Sequence, residues 1–321
     1  MSNIKSSKIV YITGCLGFIG IHVTKMCLDR GWYVIGVDNM TYASNINWLE
    51  KFDKHNNFVF LKQDINHLEP LRDCDYFINI AAETHVDNSI MSSEVFMHSN
   101  VNGVHHILEL IRKQPKHRRP VLIHFSTDEV YGDIEHGAHT ELDMLKPSNP
   151  YSASKAAADM LIGAWARTYD INYVLLRPTN NYGVGQYVEK LIPKSIKYLN
   201  LGKKIDLHDR GEPRRTWLHA NDTARAVLAV IDSESTNEIF NISGNIELPN
   251  KEVIKKILSR IPGQGAEQHW EDFITNSQRS GQDIRYSIND NKLKTLGWAA
   301  KANFDDELDR IVEYYTENFI W

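Results

Sequence analysis

The sequence predicts an α/β fold: a Rossmann-type doubly wound parallel sheet with a smaller, mostly C-terminal α/β domain. Three observations carry this reading. Short apolar runs alternate with amphipathic stretches through the first half of the chain. A glycine-rich loop joins the first apolar run to the first amphipathic stretch. Beyond about residue 180 the alternation loosens into shorter elements separated by Gly, Asn and Pro. The 321 residues suit about two domains at roughly 150 residues each.

Residues 8–13 (KIVYIT) read as a buried strand and 17–30 as a helix stopped by Gly31. Residues 32–38 (WYVIGVD), 58–61, 76–81 (YFINIA) and 121–125 supply four more strands. Between the last two, 94–112 carries apolar residues at helical spacing. Pro150 opens a helix running to about Thr168, with Ser148 or Asn149 available as cap. A sixth strand covers 173–177 (YVLLR), a further helix 221–231 and a further strand 238–242. The expected division is a first domain over 1–179, rejoined by 221–243, and a second within 180–321, made mainly of 180–220 and 244–321.

Lys and Arg number 36 and Asp and Glu 41, a net charge of −5. That balance lacks the basic excess of a nucleic-acid binder, so none is expected as partner. No apolar run approaches the roughly 18 residues of a membrane span, and the first residues lack the apolar core of a signal peptide. Cys15, Cys27 and Cys74 are too few and scattered for a disulfide framework or a zinc site. The expectation is a protein of the reducing cytoplasm, without a membrane partner. His105-His106 and His136-x-x-His139 lack a matching acidic or cysteine set, so no metal is expected.

The glycine loop is Thr13-Gly14-Cys15-Leu16-Gly17-Phe18-Ile19-Gly20, spaced GxxGxxG. Glycines there permit a tight turn and close backbone approach to a pyrophosphate, and the following helix N-terminus adds N–H donors and a favourable dipole. Asp38 closes the second strand, where an acid can accept from adenosine ribose hydroxyls and repels a 2′-phosphate. No Lys or Arg follows at Asn39 or Met40, which favours NAD over NADP. Asp64-Ile65, after the third strand, is a candidate adenine contact.

Tyr151 and Lys155 lie four residues apart on the helix opened by Pro150, hence on one face. A tyrosine of ordinary pKa near 10 needs a downward shift of roughly 2–3 units to act as a base near neutrality. A nearby ammonium and a cationic nicotinamide both favour the phenolate. After the fifth strand comes Ser126-Thr127-Asp128-Glu129, two adjacent carboxyls beside a hydroxyl. Neighbouring acids resist joint ionisation, so one can stay protonated as an acid while the other serves as a base.

The glycine loop followed by Tyr151-x-x-x-Lys155 resembles the short-chain dehydrogenase/reductase superfamily in its extended, sugar-nucleotide-modifying branch. Thr127-Asp128-Glu129 is similar to the signature of the dTDP-glucose 4,6-dehydratases. Segments 81–89 (AAETHVDNS), 177–183 (RPTNNYG) and 189–193 (EKLIP) resemble that family's motifs in the same order. The resemblance runs from the glycine loop to Trp298. It implies NAD held by Gly14, Gly17, Phe18, Ile19, Gly20, Asp38, Asn39, Asp64, Ile65, Ala81, Ala82, Tyr151 and Lys155. It implies catalysis by Thr127, Asp128, Glu129, Tyr151 and Lys155. It places Thr84, His85, Asn180, Glu189, Lys190, Leu191, Arg215, Arg279 and Tyr286 on the nucleotide-sugar substrate in the smaller domain, with His85 as a support. A homodimer through 94–112 and 150–168 is implied as well.

Departures from the family pattern fall on the substrate side: Asn88 for Arg, Thr216 for Asp, 182–188 (YGVGQYV), Ser280 and Gln282. They leave the nucleotide base open. Two other reactions share this fold: 4-epimerases need the Thr and Tyr without the acidic pair, and UDP-glucuronate decarboxylases resemble this loop with Ser in place of Asp128. A non-catalytic NAD-binding scaffold is the third alternative, against which the retained Tyr151 and Lys155 weigh.

Overall fold

The computed structural model describes residues 7–261, 269–279 and 283–318; Ser280 and Gln282 lie outside the described residues. In the first half, β1 (Ile9–Thr13) leads through the glycine loop into α1 (Phe18–Asp29). Then come β2 (Tyr33–Asp38), α2 (Ile46–Phe52), β3 (Phe58–Lys62), β4 (Tyr76–Asn79) and α3 (Val86–Met91). A helical rod follows as α4 (Glu94–Phe96), a π-helical stretch (Met97–Asn102) and α5 (Gly103–Lys113). β5 (Val121–Phe125), a 3₁₀ turn (Asp128–Tyr131), α6 (Pro150–Tyr169) and β6 (Tyr173–Pro178) complete it.

The second half opens with β7 (Asn180–Tyr182), α7 (Leu191–Asn200), β8 (Ile205–His208), β9 (Arg214–His219) and α8 (Ala220–Asp232). It continues with β10 (Glu238–Ile242), β11 (Ile246–Pro249), α9 (Asn250–Leu258), β12 (Ile274–Ser277), α10 (Asn291–Lys294) and α11 (Phe304–Glu317).

Seven strands form one parallel sheet in the order β10-β6-β5-β4-β1-β2-β3. That is the doubly wound order with one strand added at the β6 edge. The inner strands are mostly apolar because helices cover both faces, with Thr13, Asn79, His124 and Arg177 as buried polar exceptions. Ile21 and Val23 of α1 pack with Ala224, Val227 and Ile231 of α8 on one side. Val104, Ile107 and Ile111 of α5 pack with Ala158 and Ile162 of α6 on the other. Two small sheets, β11-β9-β7 and β12-β8, share a separate core with α7, α9 and α11.

Two local departures from the sequence reading have physical causes. The strand expected over 76–81 ends at Asn79: Ile80 N–H is shared between Thr13 O at 3.3 Å and the Thr13 hydroxyl at 3.2 Å, and Ala81 N–H turns to that hydroxyl at 3.3 Å. The helix expected over 94–112 widens to π geometry at 97–102. There the buried Asn100 side chain accepts from Glu83 N–H at 2.9 Å, donates to Glu83 C=O at 3.0 Å and donates to Ser154 Oγ at 2.9 Å. A π stretch re-aims one side chain without breaking the helix.

Candidate active site

The carboxyl ends of β1, β2, β4 and β5 open onto one cleft of about 490 Å³. Every site residue named from the sequence lines it. A parallel sheet places such a crevice where the strand order reverses, here between β1 and β4.

The glycine loop fits a dinucleotide by what it leaves out. Gly14 has φ +66°, and a Cβ there would lie 2.8 Å from Ala81 N; one on Gly20 would lie 1.9 Å from Gly14 O. Gly17 caps α1 with no side chain over the first turn. Cys15 points the other way, into the core beside Gly36, where burial pushes its thiol up. Asp38 lines the cleft and also ties the loop together: its oxygens accept from Leu16 N at 3.1 Å, Met40 N at 2.8 Å and Ser44 Oγ at 2.7 Å. Asn39 donates to Asp64 at 3.2 Å, and Asp64 accepts from Asn66 N at 2.8 Å, while the Ile65 side chain is buried against Gly103. Ala81 and Ala82 follow β4 on the opposite wall.

Thr127 caps the 3₁₀ turn, its hydroxyl accepting from Glu129 N at 3.3 Å and donating to Asp128 Oδ1 at 3.2 Å. The turn lets two successive carboxyls share one wall, which a strand would not. Asp128 is 3% exposed and its Oδ2 has no partner among the described residues. Burial, then the charge of Glu129, pushes its carboxyl up to about 7. Burial raises Glu129 too, while Arg215 and Arg279 pull it down.

Asn149 caps α6, accepting from Ser152 N at 2.9 Å, and Pro150 takes the first helical position. This brings Tyr151 against the acidic pair and buries Lys155. The Lys155 ammonium was expected to favour the Tyr151 phenolate; within the chain the balance runs the other way. Burial, then Glu129, raises Tyr151, and the Thr127 hydroxyl opposes them. Lys155 Nζ is bonded to Phe125 O at 2.5 Å and to His124 Nε2 at 3.3 Å, and burial lowers it to about 8.

On the facing wall Lys190 donates to Thr84 O and Oγ1 at 3.1 and 3.0 Å and pairs with Glu189 at 3.3 Å, beside Leu191. His85 caps α3, its Nδ1 accepting from Asn88 N at 3.4 Å, a supporting position. Asn180 presents a buried carbonyl, Oδ1, with no partner among the described residues. Arg215 lies over the Tyr286 ring at 4.5 Å and donates to the backbone carbonyls of Arg214 and Asp283. Arg279 pairs with Asp87 at 2.6 Å.

Two residues here escape sequence reasoning. Asp283, buried, accepts from both Tyr286 Oη and Ser148 Oγ, and Tyr286 Oη also lies 3.5 Å from Glu129. His124, within β5, reads as a core residue from its strand. The Ser148–Asp283 contact spans 135 residues and those of His124 to Asn79 and Lys155 span 45 and 31, separations that no local pattern carries.

A family model described as GDP-mannose 4,6 dehydratase matches residues 11–311. A probable dTDP-glucose 4,6-dehydratase of Sinorhizobium fredii is 36% identical over 97% of this chain and 94% of its own. The crystal structure of DesIV, a dTDP-glucose 4,6-dehydratase from Streptomyces venezuelae with NAD bound, superposes with a TM-score of 0.89 at 35% identity, covering 97% of each chain. A UDP-glucose 4-epimerase from Thermotoga maritima shares the fold, with a TM-score of 0.83 at 24% identity over 97% of this chain and all of its own.

Proposed function

The chain belongs to the GDP-mannose 4,6-dehydratase family, and from that premise we propose that it is an NAD-dependent 4,6-dehydratase of dTDP-glucose or a closely related nucleoside-diphospho-glucose. The net reaction is loss of one water to give the 4-keto-6-deoxy sugar nucleotide. The observation that carries it is the pair of buried Asp128 and half-buried Glu129 beside Tyr151, with the Asp128 carboxyl at about 7. An epimerase has no use for two such acids, and the epimerase likeness extends to the fold alone.

The glycine loop, Asp38 and Lys155 would hold NAD, which when bound would supply the hydride acceptor for sugar C4 and the donor to C6. Tyr151 takes the proton of the 4-hydroxyl, and Thr127 orients that oxygen. The resulting C4 ketone acidifies the C5 proton, which Glu129 removes. Asp128, protonated below about 7, delivers a proton to the departing 6-hydroxyl, and water leaves. Glu129 then returns its proton to C5. Each acid–base step contributes typically about 10²–10⁴-fold. Lys190, Arg215, Arg279 and the free carbonyl of Asn180 face the nucleotide diphosphate and sugar; Thr84, His85, Glu189, Leu191 and Tyr286 shape the sugar side.

In this reading the seven-stranded half holds NAD and the 180–220 and 244–318 portion holds the sugar nucleotide. The protein works in the cytoplasm as a homodimer. The exposed apolar side chains Val95 and Met97 on the helical rod and Met160 on α6 support the association. Among the described residues no helix is long and apolar enough to cross a membrane.

Incubation with dTDP-glucose, UDP-glucose, UDP-N-acetylglucosamine and UDP-glucuronate, read by mass and proton NMR, tests the function. Loss of one water from a glucose nucleotide without added reductant is the expected result. Inversion at C4 without change of mass, or loss of carbon dioxide, would overturn it.

A further inference from the structure

A chain of buried polar side chains runs under the cleft from β1 through β4 and β5 to α6, and its direction can be read by counting donors. Thr13 Oγ1 accepts from Ala81 N at 3.3 Å and from Ile80 N at 3.2 Å, the latter shared with Thr13 O at 3.3 Å, which uses both of its lone pairs. Its own hydrogen therefore goes to Asn79 Oδ1, 2.6 Å away. That fixes the Asn79 amide, whose Nδ2 faces His124 Nδ1 at 2.9 Å and donates to it. His124 is fully buried and burial holds it well below its ordinary pKa, so the imidazole is neutral and carries one hydrogen. With Nδ1 accepting, that hydrogen sits on Nε2. Nε2 lies 3.3 Å from Lys155 Nζ.

An ammonium has three donors and no lone pair, so an N–H aimed at it forms no bond; an amine has the lone pair. The second partner of Lys155, Phe125 O, accepts from either form and does not discriminate. We propose that His124 is a positioning residue for Lys155: its Nε2–H, oriented by Thr13 and Asn79, donates to the Lys155 nitrogen and favours the uncharged amine.

The charged and titratable groups facing Lys155 are few. On α6 they are Asp159, whose charge favours the ammonium, and Tyr151 one turn before. Arg177 of β6 pairs with Asp159 at 2.9 Å and draws off part of that influence. β5 contributes His124, and β1 and β4 only the neutral Thr13 and Asn79. Burial and the His124 donor thus act together against Asp159, in keeping with a lysine lowered to about 8. Resting on the Tyr151–Lys155 reading above, the consequence is that the ammonium which favours the Tyr151 phenolate is present below about 8 and lost above it. His124 helps to set that point.

Two measurements test this, and the first is independent of the reaction. In ¹⁵N-histidine-labelled protein, with the His124 signal assigned by its loss in H124Q, a neutral Nε2–H tautomer is expected from mildly acid to mildly alkaline pH. An Nδ1–H tautomer, or an imidazolium titrating across that range, overturns the proposal whatever the substrate proves to be. The second is the alkaline limb of the oxidative half-reaction, followed by reduced-nicotinamide absorbance on mixing with the sugar nucleotide, a step Asp128 does not enter. In H124F the limb moves up by about half to one pH unit, because a donor to the amine is lost. H124Q, whose amide can donate from the same place, restores it. A downward shift means that His124 was accepting from the ammonium, and an unmoved limb means that it only fills space; either overturns the proposal.

Discussion

Asp128 combines two properties that conflict in a folded protein: it is buried with one oxygen unpartnered, and it stands next to a second carboxyl. Burial first and Glu129 second raise it to about 7, against about 3.9 in an unfolded chain. Between those values the folded state holds a proton that the unfolded state has shed. Stability therefore falls as pH rises through this window, and the cost is complete above about 7. In the role proposed for it as general acid, Asp128 acts only while protonated, so water elimination should also decline as pH rises through about 7. Asp128→Asn separates the two effects. It should slow turnover by about 10²–10⁴-fold, yet stabilise the fold by on the order of 2 kcal/mol at alkaline pH, where no charge remains to be buried. Below about pH 4 the gain should vanish. Thermal melts of both proteins at the two pH extremes decide it; a variant less stable than the parent in alkaline buffer would mean that the carboxylate is compensated by groups not identified here.

At the level of elements, the cap of α6 ties stability to the proposed chemistry through one residue. Asn149 accepts from Ser152 N, Ser152 Oγ accepts from Asn149 N at 3.2 Å, and the Asn149 side chain also favours ionised Glu129. Asn149→Ala should cost about 1 kcal/mol of stability as a lost cap, and turnover should fall further than that loss explains. Asn149→Asp keeps a capping oxygen but sets a second charge beside Glu129. It should melt with the parent while the acid limb of elimination, which needs ionised Glu129, moves to higher pH. An unshifted limb in Asn149→Asp would place Glu129 out of reach of the cap. The Asn149 cap and the Pro150 start were legible in the sequence because capping is a pattern a few residues long. The π stretch at 97–102 was not, since widening one turn leaves the apolar spacing almost unchanged. Nor were β8 and β12, whose pairing joins 205–208 to 274–277 across three intervening strands and two helices. The six leading strands could be read because burial on both faces makes each a continuous apolar run.

Across the whole molecule, the cleft is stitched by contacts between residues distant in sequence: Lys190 to Thr84, Arg279 to Asp87, and Tyr42 edge-on to Tyr187 at 5.2 Å. The site was legible where chemistry is local, in the glycine loop, the acid pair and Tyr151-x-x-x-Lys155. His124 was not legible because its partners Asn79 and Lys155 lie on other elements, nor was Asp283, whose contact with Ser148 joins residues 135 apart. The same logic bears on assembly. The helical rod and α6 pack side by side over the sheet, with Leu108 and Ile111 facing inward and Val95, Met97 and Met160 left at 51%, 46% and 69% exposure. Single exposed apolar residues are ordinary, but three on two neighbouring helices form a surface that a second copy can cover by packing helix against helix. Placing carboxylates there should cost association far more than folding, because in the monomer these side chains already face water. Sedimentation at micromolar concentration should give twice 36.9 kDa for the parent and 36.9 kDa for the Met97→Glu, Met160→Glu double variant, with melting of the variant then independent of concentration. A monomeric parent, or a variant that still pairs, would move the association to another face.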